Sequence, residues 1–192
     1  IVTCDPHAFN SLRNEYPAFG GQWEVVHHTQ LIARLLAEKR IEVRPTHERV
    51  LLHDPCYLGR HNGEFEAPRA VLGRVAKDTL LEFPLHREKS MCCGAGGARM
   101  WMEENTGTKV NDERAAEAIS TGASRVATAC PFCYIMLDDG VKGAGVEEDQ
   151  VRVADVSIHL LEAIEAGEGK MHHQDAPLAG GGPSDLSPVA GD

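Results

Sequence analysis

The sequence contains no long apolar run and no excess of basic residues, and each absence excludes a class of protein. No stretch of its 192 residues approaches the ~18 consecutive apolar positions of a membrane-spanning helix. Lys and Arg number 19 against 29 Asp and Glu, which gives a formal net charge of −10 at pH 7. Because nucleic-acid surfaces need clustered Lys and Arg, we expect no nucleic-acid partner.

The sequence also lacks an initiator Met and a secretory signal, since it opens on Ile1-Val2-Thr3-Cys4. We therefore expect a soluble piece of a longer polypeptide. Without a secretory signal, six cysteines favour metal or redox use over a disulfide scaffold. The glycine-rich segment 93–97 has no Lys-Ser/Thr pair, so it does not match a phosphate-binding loop.

Five of the six cysteines fall into three short clusters. Cys56 stands in a His-Asp-Pro-Cys-Tyr segment, Cys92 and Cys93 are adjacent, and Cys130 and Cys133 form the one Cys-x-x-Cys pair. The gaps between the clusters are nearly equal, at 35 and 36 residues. We therefore expect the three clusters to meet in space as one site.

Short apolar segments alternate with segments of helical spacing. Strands are predicted at 23–26, 49–53, 80–84, 125–129 and 151–153. Helices are predicted at 29–38, 67–77, 111–120, after residue 130 and at 155–166, with a helical turn or two over 98–104. This alternation predicts an α/β fold with short, mostly parallel sheets flanked by helices. Because Cys56 and Cys130 each follow a strand, both are expected at the carboxyl ends of the strands, where ligands bind in such folds.

The two ends of the chain resemble each other. Residues 2–12 align with residues 127–137 at an offset of 125, and Val26 then matches Val153 with two extra residues in the later copy. Such a repeat indicates duplicated structural units, although two similar strand–turn–helix units could also arise by chance. In the alignment, Asp5 takes the place of Cys130 and Ala8 that of Cys133, so the earlier copy lacks the paired thiols.

The repeat predicts three parts of the chain. Residues 1–45 would be the end of a first, degenerate unit, and residues 46–166 a complete second unit. The remaining residues, 167–192, are rich in Gly, Pro and Asp and are expected to form a flexible tail.

Five thiols in this pattern suit three kinds of chemistry. A cuboidal iron–sulfur cluster takes four thiolates, and a Cys-x-x-Cys at a strand-to-helix turn supplies two of them beside backbone N–H groups. Zinc also accepts four thiolates, often from two Cys-x-x-Cys pairs, but only one such pair is present. A thiol–disulfide relay through Cys92 and Cys93 is chemically feasible. The pattern favours iron and sulfur, and a zinc-stabilised interaction domain and a thiol relay are the alternatives.

The cysteine order resembles the cysteine-rich CCG-domain family of iron–sulfur oxidoreductases, which includes a cysteine-rich component of heterodisulfide reductase. The resemblance covers nearly the whole chain before the tail and implies tandem CCG units with the cluster at the carboxyl ends of the strands. It also implies a [4Fe–4S] cluster or a non-cubane variant. A cubane would use four thiolates and leave one spare from the implied ligand set, which is Cys56, Cys92, Cys93, Cys130 and Cys133. Gly94 is expected to be a conformational requirement beside the cluster.

Segments 10–17, 24–29, 54–60 and 92–97 are most similar to one branch of the family. That branch comprises membrane-bound oxidoreductases proposed to pass electrons from electron-transferring flavoprotein to quinone during fatty-acid oxidation. The resemblance implies this flavoprotein as a partner, and a membrane quinone reached through an amino-terminal part that is not present. It places the chain at the cytoplasmic face of the cell membrane, within a larger membrane protein. A heterodisulfide-reductase-like or glycolate/lactate-oxidase-like iron–sulfur subunit is the alternative.

Other residues are weaker candidates. A histidine beside a cluster can donate to a sulfur or couple proton and electron transfer, but surface or core roles are more common. His7 lies between the positions of the missing thiols and could line the vacated site. Cys4 is expected to be a small buried cysteine. The remaining candidates are four histidines and two arginines that could offset cluster charge, namely His27, His28, His53, His159, Arg60 and Arg99.

Overall fold

A computed structural model describes residues 1–103 and 106–167 of the chain. The predicted tail therefore lies, from residue 168 onward, outside the described residues. The strands are β1 Val2–Thr3, β2 Val26–His27, β3 Val50–Leu52, β4 Leu80–Glu82, β5 Arg125–Thr128 and β6 Arg152–Asp155. The α-helices are α1 Pro6–Asn10, α2 His28–Ala37, α3 Cys56–Gly59, α4 Glu66–Val75, α5 Val110–Ser120, α6 Pro131–Gly143 and α7 Val156–Gly167. In these two ranges, no helix combines the length and the apolar character that a bilayer crossing requires.

The later strands form a four-stranded sheet in the order β4-β3-β5-β6, and every neighbouring pair is parallel. Leu51 lies opposite Leu81 on one side and Val126 on the other. The central strands are short apolar runs, as expected for strands buried on both faces. The α/β fold predicted from the sequence is confirmed.

Helices cover both faces of this sheet because successive strand side chains point to opposite sides. Val50 and Leu52 pack in one cluster with α2, α4 and α7, whereas Leu51 packs in a second cluster with α5 and α6. The result is three layers, with helices above and below the sheet. Every strand ends at the same edge of the sheet, and the cysteine segments follow at that edge.

The strand order places a topological switch point between β3 and β5. From β3 the chain crosses to β4 on one side and then returns to β5 on the other. In open α/β sheets, the crevice at such a point, outside the carboxyl ends of the strands, is where ligands bind. Cys56 follows β3 and Cys130 follows β5, so both cysteines lie at this crevice.

The first 40 residues contribute a separate pair of parallel strands, β1 and β2. Thr3 lies opposite His27 in this pair, and Thr128 lies opposite Asp155 in the larger sheet. Thr3 and Thr128 are 125 positions apart, whereas His27 and Asp155 are 128 apart. By this pairing the later copy has three extra residues between the two strands. The sequence alignment gave two extra residues and was therefore wrong by one. The division into a degenerate and a complete unit stays a prediction.

Three local predictions differ from the structure. The strand predicted over 23–26 is confined to Val26–His27. The turn predicted over 98–104 is a 3-10 segment, Gly96–Trp101, interrupted by left-handed backbone at Gly97 and Ala98. The helix predicted over 111–120 begins one residue earlier, at Val110, and the side-chain amide of its buried Asn111 donates to the Met136 carbonyl at 3.2 Å.

The crossing of α5 and α6 depends on the absence of a side chain at Gly140. A Cβ there would lie 2.7 Å from the Asn111 carbonyl oxygen and 2.8 Å from the Ala115 Cβ. We expect Gly140→Ala to lower the free energy of unfolding by about 1–3 kcal/mol, because the two helices must separate to admit the methyl group. Urea denaturation measures this change. Gly143→Ala is the matched control, since its Cβ would meet nothing within 4 Å, and equal stability of the two variants would contradict the prediction.

Two buried histidines are expected to make stability depend on pH. Burial lowers the pKa of His27 to about 4, with a further contribution from the neighbouring His28, and burial lowers the pKa of His159 to about 4. Between pH 6.5 and 4 the unfolded chain therefore binds protons that the folded chain does not. The free energy of unfolding is highest above pH 6.5 and falls as the pH drops, by about 1.4 kcal/mol per histidine per pH unit.

Anaerobic urea denaturation at pH 7 and pH 5 tests this dependence. In His159→Phe the slope of stability against pH should be smaller than in the wild type, because one of the histidines that take up a proton only on unfolding is gone. An unchanged slope would assign the dependence to other groups.

Candidate metal centre

The structure brings all five predicted ligand cysteines to one cavity at the carboxyl ends of the strands. Cys93, Cys130 and Cys133 are buried, with 4%, 2% and 3% of their surface exposed, whereas Cys56 and Cys92 are half-buried. The cavity lining consists of Cys56, Cys92, Cys93, Cys130 and Cys133 with His7, Pro55, Tyr57, Ala95, Gly96 and Phe132. One side of the cavity therefore lies deep in the protein and the other lies close to solvent.

Cys4, the sixth cysteine, is not part of this lining and is exposed. The prediction that it is buried was therefore wrong. It lies in the short connection between β1 and α1, directly before Asp5, whose carboxylate accepts hydrogen bonds from the backbone at the start of α1.

The turn from β5 into α6 holds Cys130 and Cys133. Cys130 is the extended residue before the helix, and Pro131 occupies the first helical turn, where its missing N–H costs nothing. The pKa of Cys130 is lowered by the side chain of Cys133 and by the backbone N–H groups of Cys133 and Phe132. These N–H groups stabilise negative charge on sulfur at the positive end of the helix.

The loop after β4 holds Cys92 and Cys93, and Gly94 sets its shape. Gly94 has a φ of +98°, and an added Cβ would lie 3.2 Å from the Asn111 nitrogen. The Gly94 N–H donates to the Cys92 sulfur at 3.3 Å. The prediction that Gly94 is a conformational requirement is confirmed. A side chain would be strained at this positive φ, and its Cβ would crowd the backbone of α5.

A buried ion-pair network joins the segment before Cys56 to the loop before Cys92. The Arg69 guanidinium donates to both Asp54 carboxylate oxygens, at 2.7 and 2.8 Å, and to Glu82 at 2.7 Å. Asp54 also accepts from the Arg87 backbone N–H at 2.7 Å, and the Ser90 hydroxyl donates to the Asp54 carbonyl at 3.2 Å. Local sequence patterns did not point to this network, because its members are distant in the chain.

The five thiols form a continuous series of neighbours. In the order Cys56, Cys92, Cys93, Cys133 and Cys130, each thiol lies close enough to the next to shift its pKa. This proximity gives the thiols very different pKa values.

The hydrogen bond with Cys92 and burial raise the pKa of Cys56, and hydrogen bonds with Cys130 and Cys93 raise that of Cys133. Cys133 lowers the pKa of Cys93, but Cys92 and burial raise it by more. The pKa of Cys93 therefore rises to about 12. The pKa of Cys92 is lowered by its hydrogen bonds with Cys56 and Cys93. Five thiolates cannot coexist here without bound positive charge, which metal ions supply.

His7, from the amino-terminal segment, contributes to the wall of this cavity. Its ring centroid lies 4.1 Å from that of Tyr57 and 5.1 Å from that of Phe132. Its Nδ1 lies 3.1 Å from the Asp5 carboxylate, and Asp5, His7 and Cys130 offer ligand atoms within 4.8 Å of one another. His7 was predicted to line a vacated site, but it lines the cavity of the five thiols. The fold thus brings the amino-terminal segment against the cysteine site.

His53 and Arg114 lie behind the buried thiols of the cavity. A ring nitrogen of His53 and the sulfurs of Cys93 and Cys133 lie within 4.8 Å of one another. The Arg114 Nε–H donates to His53 Nδ1 at 3.4 Å, and Arg114 is fully buried. Burial and the Arg114 charge lower the pKa of His53 to about 3. Sequence reasoning missed Arg114, although its inward position on the helix beside Ala115 was a usable signal.

The other candidate histidines do not reach the described lining of the cavity. His27 is fully buried, and its Nδ1 lies 2.7 Å from a threonine hydroxyl. His28 lies 2.8 Å from the Asp155 carboxylate. His159 lies 3.2 Å from the Val126 carbonyl. These three histidines therefore contact other parts of the fold and do not border the thiols.

Of the two candidate arginines, Arg60 donates to the Ser90 carbonyl at 3.0 Å, next to the cysteine loop. Its charge lowers the pKa of Cys56 slightly against the larger raising effects, of which the hydrogen bond with Cys92 is the greatest. Arg99 is exposed on the 3-10 segment after the loop. Neither arginine lines the cavity among the described residues.

Comparison with known families identifies the domain around the cavity. Residues 50–138 match the family described as the cysteine-rich CCG domain. The matched range begins at β3, ends within α6 and includes all five cavity thiols. Through this domain the chain belongs to the CCG-domain family, and it is similar to proteins named as iron–sulfur or quinone oxidoreductases. The family predicted from the cysteine order is confirmed, and the CCG domain is the part of the chain that builds the site.

The curated proteins to which this chain is similar are named as redox proteins. The chain is 44% identical over 172 residues to "Probable iron-sulfur-binding oxidoreductase FadF" of Bacillus subtilis (strain 168), covering 89% of this chain and 24% of that protein. It is 41% identical over 173 residues to "EtfAB:quinone oxidoreductase" of Syntrophomonas wolfei, covering 86% and 24%. It is 33% identical over 159 residues to one component of the dihydromethanophenazine:CoB–CoM heterodisulfide reductase of Methanosarcina barkeri, covering 79% and 39%. The chain thus spans about a quarter of the length of the first two relatives.

The donor set of the CCG domain fits an iron–sulfur cluster. Sulfur atoms dominate the cavity, and backbone N–H groups of the Gly94 and Cys133 segments point at the sulfurs, as cluster sites require. Thiolate zinc sites often take two Cys-x-x-Cys pairs, whereas this sequence has one such pair. The cofactor of this domain is an iron–sulfur cluster, in agreement with the prediction.

Proposed function

We propose that the CCG domain relays electrons through one iron–sulfur cluster from electron-transferring flavoprotein to a membrane quinone in fatty-acid oxidation. The proposed ligands are Cys56, Cys92, Cys93, Cys130 and Cys133. The domain would work at the cytoplasmic face of the cell membrane, within a longer polypeptide that supplies the quinone site. Residues 1–45 would be the end of a degenerate first unit that carries no cluster of its own.

The observation that carries the proposal is the single cavity lined by five thiols. Among the described lining residues, His7 and Tyr57 are the other groups that can exchange a proton. The cavity is therefore suited to hold a redox centre. It offers few side chains for acid–base catalysis on an organic substrate. The cluster would supply the electron chemistry, while the protein would position it and set its potential.

The asymmetry of the cavity supports a relay. Cys93, Cys130 and Cys133 are buried, whereas Cys56 and Cys92 reach the half-buried side, next to His7 and Tyr57. A partner docked on that side would come closer to the cluster than one docked elsewhere. The name of the Syntrophomonas wolfei relative, at 41% identity, supports a flavoprotein donor and a quinone acceptor.

Electron transfer with the full-length protein tests the proposal. Reduced electron-transferring flavoprotein should reduce the cluster, seen by EPR, and then a quinone analogue in the same membranes. A loaded cluster that the flavoprotein does not reduce would overturn the assignment. Reduction of a heterodisulfide without quinone reduction would favour the heterodisulfide-reductase-like alternative.

A further inference from the structure

Two groups that a simple thiolate site does not need lie behind the buried thiols, outside the lining of the cavity. His53 is 1% exposed, and Arg114 is fully buried. A ring nitrogen of His53 and the sulfurs of Cys93 and Cys133 lie within 4.8 Å of one another, so the imidazole borders the space that the cofactor would occupy, where it could bind iron or donate to a sulfur of the cluster. The partner of the other ring nitrogen decides between these roles.

Arg114 determines which nitrogen of His53 carries the proton. A guanidinium has N–H donors and no acceptor, and the Arg114 Nε–H points at His53 Nδ1 at 3.4 Å. Nδ1 must therefore be the acceptor, and the neutral ring carries its proton on Nε2. An Nε2 that carries a proton cannot bind iron, but it can donate to sulfur.

The Arg114 guanidinium is fixed from several sides. It donates to the Glu117 carboxylate at 2.6 Å and to the Leu85 carbonyl at 3.2 Å. Its Cζ lies 3.3 Å from the centre of the Phe83 ring, in a cation–π contact. These contacts leave the Nε–H directed at His53. At the histidine of the cavity lining, His7, Nδ1 faces the Asp5 carboxylate, so the two imidazoles have opposite partners.

We propose that His53 donates its Nε2–H to a sulfur of the cluster site beside Cys93 and Cys133, and that Arg114 is the positioning residue that sets this tautomer. His53 is then a hydrogen-bond donor to the cofactor and not a sixth ligand. A hydrogen bond to a cluster sulfur stabilises the reduced state, which is more negative, and so raises the reduction potential. The inference rests on the ligand set of the proposed function.

Reduction potentials of His53 variants test the donor role. In loaded His53→Leu the potential should fall, so that the ratio of oxidised to reduced cluster at the wild-type midpoint rises about tenfold, which is about 59 mV for one electron. His53→Gln should keep a potential close to the wild type, because its amide N–H can replace Nε2–H. A loaded His53→Leu protein with an unchanged potential would overturn the donor role.

Arg114→Lys tests the tautomer separately from the charge. Lysine keeps the positive charge but removes the Nε–H, so we expect the potential to fall toward that of His53→Leu. Because both substitutions would remove the same hydrogen bond, their effects should not add in the double variant. Additive effects, or no shift in Arg114→Lys, would overturn the role of Arg114.

Pulsed EPR on protein labelled with ¹⁵N-histidine gives a readout that does not depend on the potential. A weak nitrogen coupling, as for a hydrogen-bonded imidazole, that is present in the wild type and lost in His53→Leu supports the proposal, whereas a coupling of ligand strength or a weak coupling that persists in His53→Leu overturns it. Failure of the proposed ligand set would look different, since wild-type protein purified anaerobically would then contain no iron and sulfide.

Discussion

Replacement of Cys93 by Ser is expected to remove the iron–sulfur cluster from the protein. Cys93 lies at the centre of the thiol series, between Cys92 and Cys133, and only 4% of its surface is exposed. A serine hydroxyl does not supply the soft thiolate that iron–sulfur clusters require. Loss of an outer-shell partner alone costs about 10–100-fold in metal affinity, so loss of a ligand should lower iron and sulfide content by more than about tenfold.

Anaerobic iron and sulfide analysis, with the absorbance spectrum, measures this loss. Cys4→Ser is the matched control, because Cys4 is exposed and lies outside the cavity lining. We expect its cluster content to equal that of the wild type. A brown Cys93→Ser protein with full iron and sulfide would remove Cys93 from the ligand set. Stoichiometric zinc in colourless wild-type protein would instead support the zinc-stabilised domain.

Asp54→Ala is expected to lower the free energy of unfolding by about 3–5 kcal/mol, because it leaves the buried Arg69 charge without its main partner. Asp54 and Arg69 are 4% and 9% exposed and are joined by two hydrogen bonds of 2.7 and 2.8 Å. The substitution also removes the acceptor of the Arg87 backbone N–H. Since Asp54 lies two residues before Cys56, we expect cluster retention to fall as well.

Anaerobic urea denaturation measures the change in stability. Lys142→Ala is the control, because its ion pair with Asp138 lies on the exposed side of α6 and should contribute nothing measurable. In the double variant Asp54→Leu/Arg69→Met, both charges are gone, so the loss should be smaller than in Asp54→Ala. An Asp54→Ala protein as stable as the wild type would contradict a structural role for the network.

Much of the site could be predicted because its five thiols occur in short motifs. The spacing of the cysteine clusters indicated five thiols in one place, and the apolar segments before Cys56 and Cys130 indicated strand ends at a common edge. The residues around the thiols were harder to predict. Arg69 and Arg114 look like ordinary helix residues in a linear reading, and only their partners in space distinguish them. Cys4 was predicted to be buried because free cysteines usually are, but it lies in an exposed connection.

The sequence by itself determined the kind of donor and the kind of fold. Thiol chemistry follows from residue identity, and the alternation of strand and helix follows from local hydrophobic period, which acts over a few residues. Tertiary structure alone decided the strand order, which makes β3 and β5 neighbours and so joins Cys56 to Cys130 across a switch point. It also decided the contact between Arg114 and His53, 61 residues apart in the chain. Such pairings depend on how the helices pack against the sheet, and no local pattern of residues records that packing.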